Sequence, residues 1–202
     1  RPKTRAVRIE NRGLSGARNY GIEHTSHDLV CALDADDILE PTWFERALEV
    51  FELEEDVCFV SHWLRTFGDE EWEWTPERCD LAALLDTNTI NGAAVVRREA
   101  LLEVGLFDES MRDGCEDWDL WLRMVERGKR GVILPAFLFR YRRRADSMSR
   151  AMNRPDVQLG LFRRLVEQHE ESYRLHLKDL LLRRETSVCD LRGEIFDLER
   201  EH

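Results

Sequence analysis

The sequence predicts an α/β fold with a helical tail, and three observations carry that reading. Short apolar runs rich in Val, Cys and Phe recur at Leu29–Leu33, Val57–Val60, Gly131–Leu134 and Phe137–Tyr141. Segments with helical spacing separate most of them, which is the pattern of strands alternating with helices. From Pro155 onward the strand-like runs stop and helical spacing takes over.

The run Leu29-Val30-Cys31-Ala32-Leu33 reads as a buried strand. It ends in Asp34-Ala35-Asp36-Asp37, three carboxylates within four residues. Like charges so close are most easily tolerated with a cation or strong donor among them. Oxygen-only ligands at the mouth of a strand suit Mg²⁺ or Mn²⁺, with substrate phosphates completing the shell. A solvated acidic turn is the alternative. In open α/β sheets, ligands bind at the carboxyl ends of strands.

Upstream, Ala6-Val7-Arg8-Ile9 alternates like a short strand. Gly13 and Gly16 punctuate the loop after it, and Ser15 is a candidate cap for a helix starting there. A helix N-terminus with Arg18 one turn in suits phosphate. This helix leads into the strand carrying Asp34 and Asp36, so both features are expected at one edge of the sheet.

Pro41 opens a helix running to about Glu54, with Phe44, Leu48 and Phe51 as its apolar face. Trp63, Trp72 and Trp74 surround the acidic loop 68–71; they read as a sugar-stacking wall or as ordinary packing. Cys79–Leu85 reads as a short helix. Small residues at 91–94 leave room for a ligand before a strand. A helix over Glu99–Val104 is closed by Gly105. Trp118, Trp121, Leu122 and Val125 share one face of a further helix. Glu116 and Asp117 fall at its N-terminus, where the helix dipole alone would also favour acids. Pro135 separates two strands, and the latter runs into the arginines 142, 143, 144 and 150. These suit a diphosphate or partner acidic helices. In the tail, Val188, Leu191, Ile195 and Leu198 follow a 3-4-3 spacing, too short to establish a coiled coil.

Composition narrows the function. Hydrophobic residues make up 43% and charged residues 35% of 202, which describes a globular chain. The net charge of −11 argues against a general nucleic-acid binder. The cysteines (31, 58, 79, 115, 189) are odd in number and lack a CxxC, so they read as reduced thiols of a cytosolic protein. No run is long enough to span a bilayer and no signal peptide is read. The sequence opens at Arg1 without a Met, as a fragment would.

Four motifs in order resemble the family 2 glycosyltransferases of the GT-A fold, over Val7 to about Arg150. They are Asn11-x-Gly13-x-Ser15-x-Ala17-Arg18-Asn19-x-Gly21-Ile22, Leu33-Asp34-Ala35-Asp36-Asp37, Arg97 to Glu109, and Glu116-Asp117-Trp118-Asp119-Leu120-Trp121-Leu122-Arg123. The stretch Leu33 to Asp37 is similar to the family's DXD segment, and Glu116 to Arg123 to its ED motif. The resemblance implies a mixed, mostly parallel sheet flanked by helices and lacking its first strands, over residues 1–153. A helical extension, coiled-coil-like, would fill 154–202. It implies an inverting, metal-dependent transfer of sugar from a nucleotide sugar, UDP-linked, to a hydroxyl of a glycan, lipid-linked or protein acceptor.

By the same resemblance Asp117 is the catalytic base. Asn11, Arg18, Asn19, Asp34 and Arg144 bind the donor, Glu116 and Trp118 face the acceptor, and Asp36 with Asp34 holds Mn²⁺ or Mg²⁺. The location implied is cytoplasmic or peripheral at the inner face of the membrane, with a homodimer through the C-terminal helices. Two departures stand out. The family commonly has a His in a Tyr-Arg-x-His-type segment, where this chain has Tyr141-Arg142-Arg143-Arg144. The family's first two strands, with the Asp that reads the base, are absent. Roughly 60–80 residues of a donor-binding half would be missing, so the chain alone is expected to be catalytically incomplete. The competing readings are a non-catalytic nucleotide-sugar or carbohydrate-binding module and a helical interaction module.

Overall fold

The computed structural model describes residues 4–145 and 154–201. In chain order the elements are α1 (Gly13–Glu23), β1 (Leu29–Cys31), β2 (Ile38–Leu39), α2 (Trp43–Leu53), β3 (Val57–Gly68), β4 (Glu73–Trp74), α3 (Leu81–Leu84), β5 (Val95–Arg97), α4 (Arg98–Val104), α5 (Glu116–Glu126), β6 (Arg130–Arg143), α6 (Pro155–Gln168) and α7 (Glu170–Glu201). Arg150 lies outside the described residues.

The six strands form one mixed sheet in the order β1-β5-β3-β6-β2, with β4 beside β3. The expected mixed sheet flanked by helices is what the structure shows. Its longest pairing, β3 with β6, is parallel, but the others are antiparallel. Two of these involve β5, which runs antiparallel between β1 and β3 and so separates two strands of the same direction.

Strand alternation assigns side chains to the two faces. Phe59 and Val96 enter one core, with Leu101, Leu120, Trp121 and Leu122 from α4 and α5. Their neighbours Val60 and Val95 enter the other, against Trp43, Ala47 and Phe51 of α2. The α2 face therefore differs from the expected one. Trp43 and Ala47 are fully buried, whereas Phe44 and Leu48 are about half exposed. Both stripes satisfy helical spacing, and the sheet selects the one that seats the larger indole. The helix also starts at Trp43, two residues after Pro41.

Other boundaries differ too. Residues 6–9 form no strand, and Val7 is 47% exposed; no described strand lies beside them to supply a ladder. β1 is only partly buried and Leu33 is exposed, because β1 ends the sheet order and has one neighbour. The two strands expected around Pro135 are one, β6. The register jumps there: Leu134 pairs with His62 and Phe137 with Trp63. Pro135 sits in that irregularity, where its missing N–H breaks no ladder bond. Gly131 is needed because a Cβ there would lie 1.9 Å from the Phe59 ring.

Gly105 closes α4 in the left-handed region, as its sequence position predicts. All five cysteines are free thiols. The helices α6 and α7 share the α5-side core through Leu165, Tyr173 and Leu180. Beyond that contact Val188, Leu191 and Ile195 are exposed. Among the described residues no helix is long and apolar enough to cross a membrane.

Candidate active site

A cleft of about 520 Å³ lies between α1, the turn after β1, the segment before β5, the start of α5 and the ends of β3 and β6. It gathers Arg18, Asp34, Asp36, Glu116, Asp117 and Arg144 in one place. These come from positions up to 126 residues apart, and the sheet is what unites them.

Arg18 is the hub on the α1 side. Its guanidinium is 10% exposed and donates to Asp34 at 3.1 and 3.2 Å and to Glu116 at 2.8 Å. Burial disfavours its charge, but the carboxylates of Asp34 and Glu116 outweigh this, so Arg18 stays charged. Asp36 pairs with Arg144 at 3.0 Å. Arg142 donates from its backbone to Asp37 at 2.8 Å and from its side chain to the Asp36 carbonyl at 2.9 Å. Burial pushes the Asp37 carboxyl up to about 6, against the pull of that backbone donor.

Asp117 stands on the opposite wall. Cys115, in the left-handed region at φ 61°, turns the chain into α5. Glu116, Asp117 and Asp119 then fill the first helical turn. Asp117 accepts from its neighbour's N–H, Trp118, at 2.7 Å and from Asn88 Nδ2 at 3.2 Å. Burial, then the Glu116 charge, push its carboxyl up to about 7; Arg18 and the two donors pull the other way. A carboxyl poised near neutrality at a cleft wall is suited to taking a proton. The third wall is aromatic: Trp72, Trp74, Phe139 and Tyr141 line it. Trp63 does not, because its indole N–H is bound to the Pro76 carbonyl at 3.1 Å.

This geometry can hold an anion against guanidinium groups with a carboxyl base across the gap. Residues 2–108 match the family described as Glycosyl transferase family 2, and residues 78–187 match Glycosyltransferase like family 2. The chain belongs to the family 2 glycosyltransferases.

Its relatives agree. This family 2 chain is 26% identical over 148 residues to amylovoran biosynthesis glycosyltransferase AmsE of Erwinia amylovora, covering 70% of this chain and 54% of that one. It is 28% identical over 134 residues to the UDP-Gal:alpha-D-GlcNAc-diphosphoundecaprenol beta-1,3-galactosyltransferase of Escherichia coli, covering 60% and 46%. The chain thus spans about half the length of these curated relatives. Among solved structures, S. aureus TarS 1-349 in complex with UDP-GlcNAc superposes with a TM-score of 0.58 at 16% identity, over 70% of this chain and 43% of that chain. GalNAc-T7 with UDP, GalNAc and Mn²⁺ gives 0.55 at 16% identity, over 69% and 32%. Likeness at that identity shows the GT-A fold.

Three expected site residues of this glycosyltransferase chain are placed elsewhere. Asn19 is buried and makes two bonds to the Phe107 backbone, each at 2.9 Å, and a longer one to the Glu109 carboxylate at 3.3 Å. It staples α1 to the segment after α4, which accounts for its place in the motif without any ligand. Changing Asn19 to Ala leaves a buried N–H and carbonyl unpaired, so a loss of about 2 kcal/mol is expected in urea unfolding. Asn11 is exposed and accepts the Gly13 N–H at 3.0 Å. That bond tightens the start of α1, which begins two residues before Ser15; Ser15 is buried inside the helix and caps nothing. Trp118 faces away from the cleft, with its indole N–H on the Leu84 carbonyl at 2.7 Å and its ring near Phe162. In return the structure brings in Asn88, Asp37 and Arg142, to which the sequence assigned no individual role. Asn88 carries no motif signal, since its partner is 29 residues away.

Proposed function

We propose that this chain carries the transfer centre of an inverting, metal-dependent glycosyltransferase that moves a sugar from a UDP-sugar to a hydroxyl of a glycan or lipid-linked acceptor. The observation that carries the reading is Asp117, a carboxyl near neutrality facing the same cleft as Asp34, Asp36, Arg18 and Arg144. The names of the relatives and of the ligands in the similar structures support the donor class.

In this reading the acceptor hydroxyl gives its proton to the Asp117 carboxylate as its oxygen bonds to the anomeric carbon. The bond from that carbon to the donor's phosphate oxygen breaks on the opposite face, and the diphosphate leaves with the electron pair. Inversion follows from that geometry. Arg18 and Arg144, now paired with Asp34 and Asp36, are placed to take the growing charge on the diphosphate. The aromatic wall of Trp72 and Trp74 offers an apolar face to an acceptor sugar.

Among the described residues no three His, Cys, Asp or Glu side chains form a metal-holding group by themselves. Asp34 and Asp36 nevertheless fit Mg²⁺ or Mn²⁺. Such ions are held by one or two carboxylates with substrate phosphates completing the shell, and both aspartates line the cleft, where guanidiniums now balance their charge. A bound ion would neutralise charge on the leaving diphosphate.

The test is calorimetry of UDP on the full-length enzyme with and without Mn²⁺. Binding is expected to need Mn²⁺ and to weaken at least tenfold in Asp36→Ala, by loss of a ligand to the ion. UDP binding indifferent to both would overturn the metal assignment, and no UDP binding at all would overturn the donor class.

A further inference from the structure

Asn88 lies in the turn between α3 and β5, with its amide at the cleft wall. Its Oδ1 accepts the Ile90 N–H at 3.2 Å. That bond decides which end of the amide is oxygen. The other end, Nδ2, therefore donates to Asp117 Oδ2 at 3.2 Å. Because Asp117 Oδ1 is held by the Trp118 N–H, both carboxylate oxygens have a donor.

The turn that carries Asn88 is braced from several sides. Leu84 and Leu85 before it are fully buried, as is Ile90 after it. The Trp118 indole holds the Leu84 carbonyl. From α7, Arg183 donates to the Ala82 carbonyl at 3.2 Å and Arg184 to the Asp86 carbonyl at 3.1 Å. Arg184 also pairs with the Asp86 carboxylate at 3.4 Å. The C-terminal helix thus reaches the segment that holds the base.

We propose that Asn88 is a positioning residue for the base, fixing the Asp117 carboxylate in one orientation at the cleft wall. The assignment rests on the reading of Asp117 given above. A donor to a carboxylate also favours its ionised form. The other charged groups acting on Asp117 are Glu116 beside it on α5 and Arg18 from α1. Glu116 opposes ionisation and Arg18 favours it, so removing Asn88 leaves a balance shifted toward the protonated acid.

Two variants of the full-length enzyme separate positioning from a merely structural turn. Asn88→Asp keeps an oxygen for the Ile90 N–H but replaces the donor with another carboxylate. Asn88→Ala removes both bonds. Protonation of Asp117 is followed by ¹³C-carboxyl NMR, its signal identified by loss in Asp117→Asn. In both variants the Asp117 titration is expected to move up by about one pH unit or more, further in Asn88→Asp. The kcat for transfer is expected to fall roughly tenfold in Asn88→Ala and a hundredfold in Asn88→Asp, with acceptor KM within about twofold. The acid limb of the kcat profile should move with the NMR titration. An unmoved Asp117 titration in both variants, or wild-type kcat in Asn88→Asp, would overturn the proposal. Absence of transfer by the unmodified enzyme would instead count against the function, while the titration still decides whether Asn88 sets the carboxylate.

Discussion

Asp117→Asn lowers kcat for sugar transfer by roughly a thousandfold, the middle of the range that general-base groups contribute. The substitution is nearly isosteric, so the oxygen that accepts the Trp118 N–H keeps its partner. What disappears is the carboxylate oxygen proposed to receive the acceptor's proton. The groups proposed to hold the donor, Asp34, Asp36, Arg18 and Arg144, stand on other segments, and Arg18 is tied to Asp117 through charge rather than a hydrogen bond. UDP affinity should therefore stay within about twofold while kcat collapses, a split that distinguishes loss of the base from loss of the fold. The unmodified enzyme carries a related signature. With the Asp117 carboxyl pushed up to about 7, the base is increasingly protonated below that pH. The rate should fall tenfold per unit well below pH 7. A variant retaining more than a tenth of wild-type kcat, or a rate flat from pH 5 to 8, would show that another group takes the proton.

The other large effect is on stability. His169, at the junction of α6 and α7, is 4% exposed. It bridges Glu126 at 2.9 Å and Asp119 at 3.2 Å, both on α5. Burial disfavours its charge, but the two carboxylates prevail and raise the imidazole to about 9. A group whose folded pKa lies above its unfolded value of about 6.5 stabilises fully below 6.5 and loses that contribution as pH rises through 9. The gap corresponds to roughly 3 kcal/mol. His169→Ala should therefore lower unfolding free energy by about 3 kcal/mol at pH 6 and by little at pH 10, in urea titrations at both values. Equal losses at both would assign His169 a packing role alone. Asp119 keeps its partner Arg123 at 2.6 Å in the variant, so the first turn of α5 retains one of its two ties. The bridge from His169 is also one of the ties, beside the shared core and the Ser172–Glu126 bond, between the C-terminal helices and the element bearing Asp117.

Much of the site is legible in the sequence because its motifs are local. Asp34 and Asp36 follow an apolar run directly, and Glu116 and Asp117 open an amphipathic helix whose start is where the sequence places it. Arg18 and Asp34 are expected at one sheet edge, and the structure bonds them. What misleads are residues whose type suits two roles. Asn19 has the chemistry of a ligand-binding amide, but buried beside Phe107 it satisfies a backbone instead. Trp118 resembles an acceptor contact, yet its indole serves α3. In α2 the spacing admits two stripes, and only the sheet opposite decides that Trp43 rather than Phe44 is buried.

By itself, then, the sequence determined the alternation of strands and helices, the family, and the carboxylates and guanidiniums that the cleft gathers. Side-chain type and short-range spacing suffice for those. The tertiary structure alone decided that β5 runs antiparallel between β1 and β3, that Pro135 interrupts a single strand, that Asn88 meets Asp117 and that His169 joins the helical tail to α5. Each of these depends on which distant segments meet, and such meetings are set by packing the whole core rather than by any local pattern.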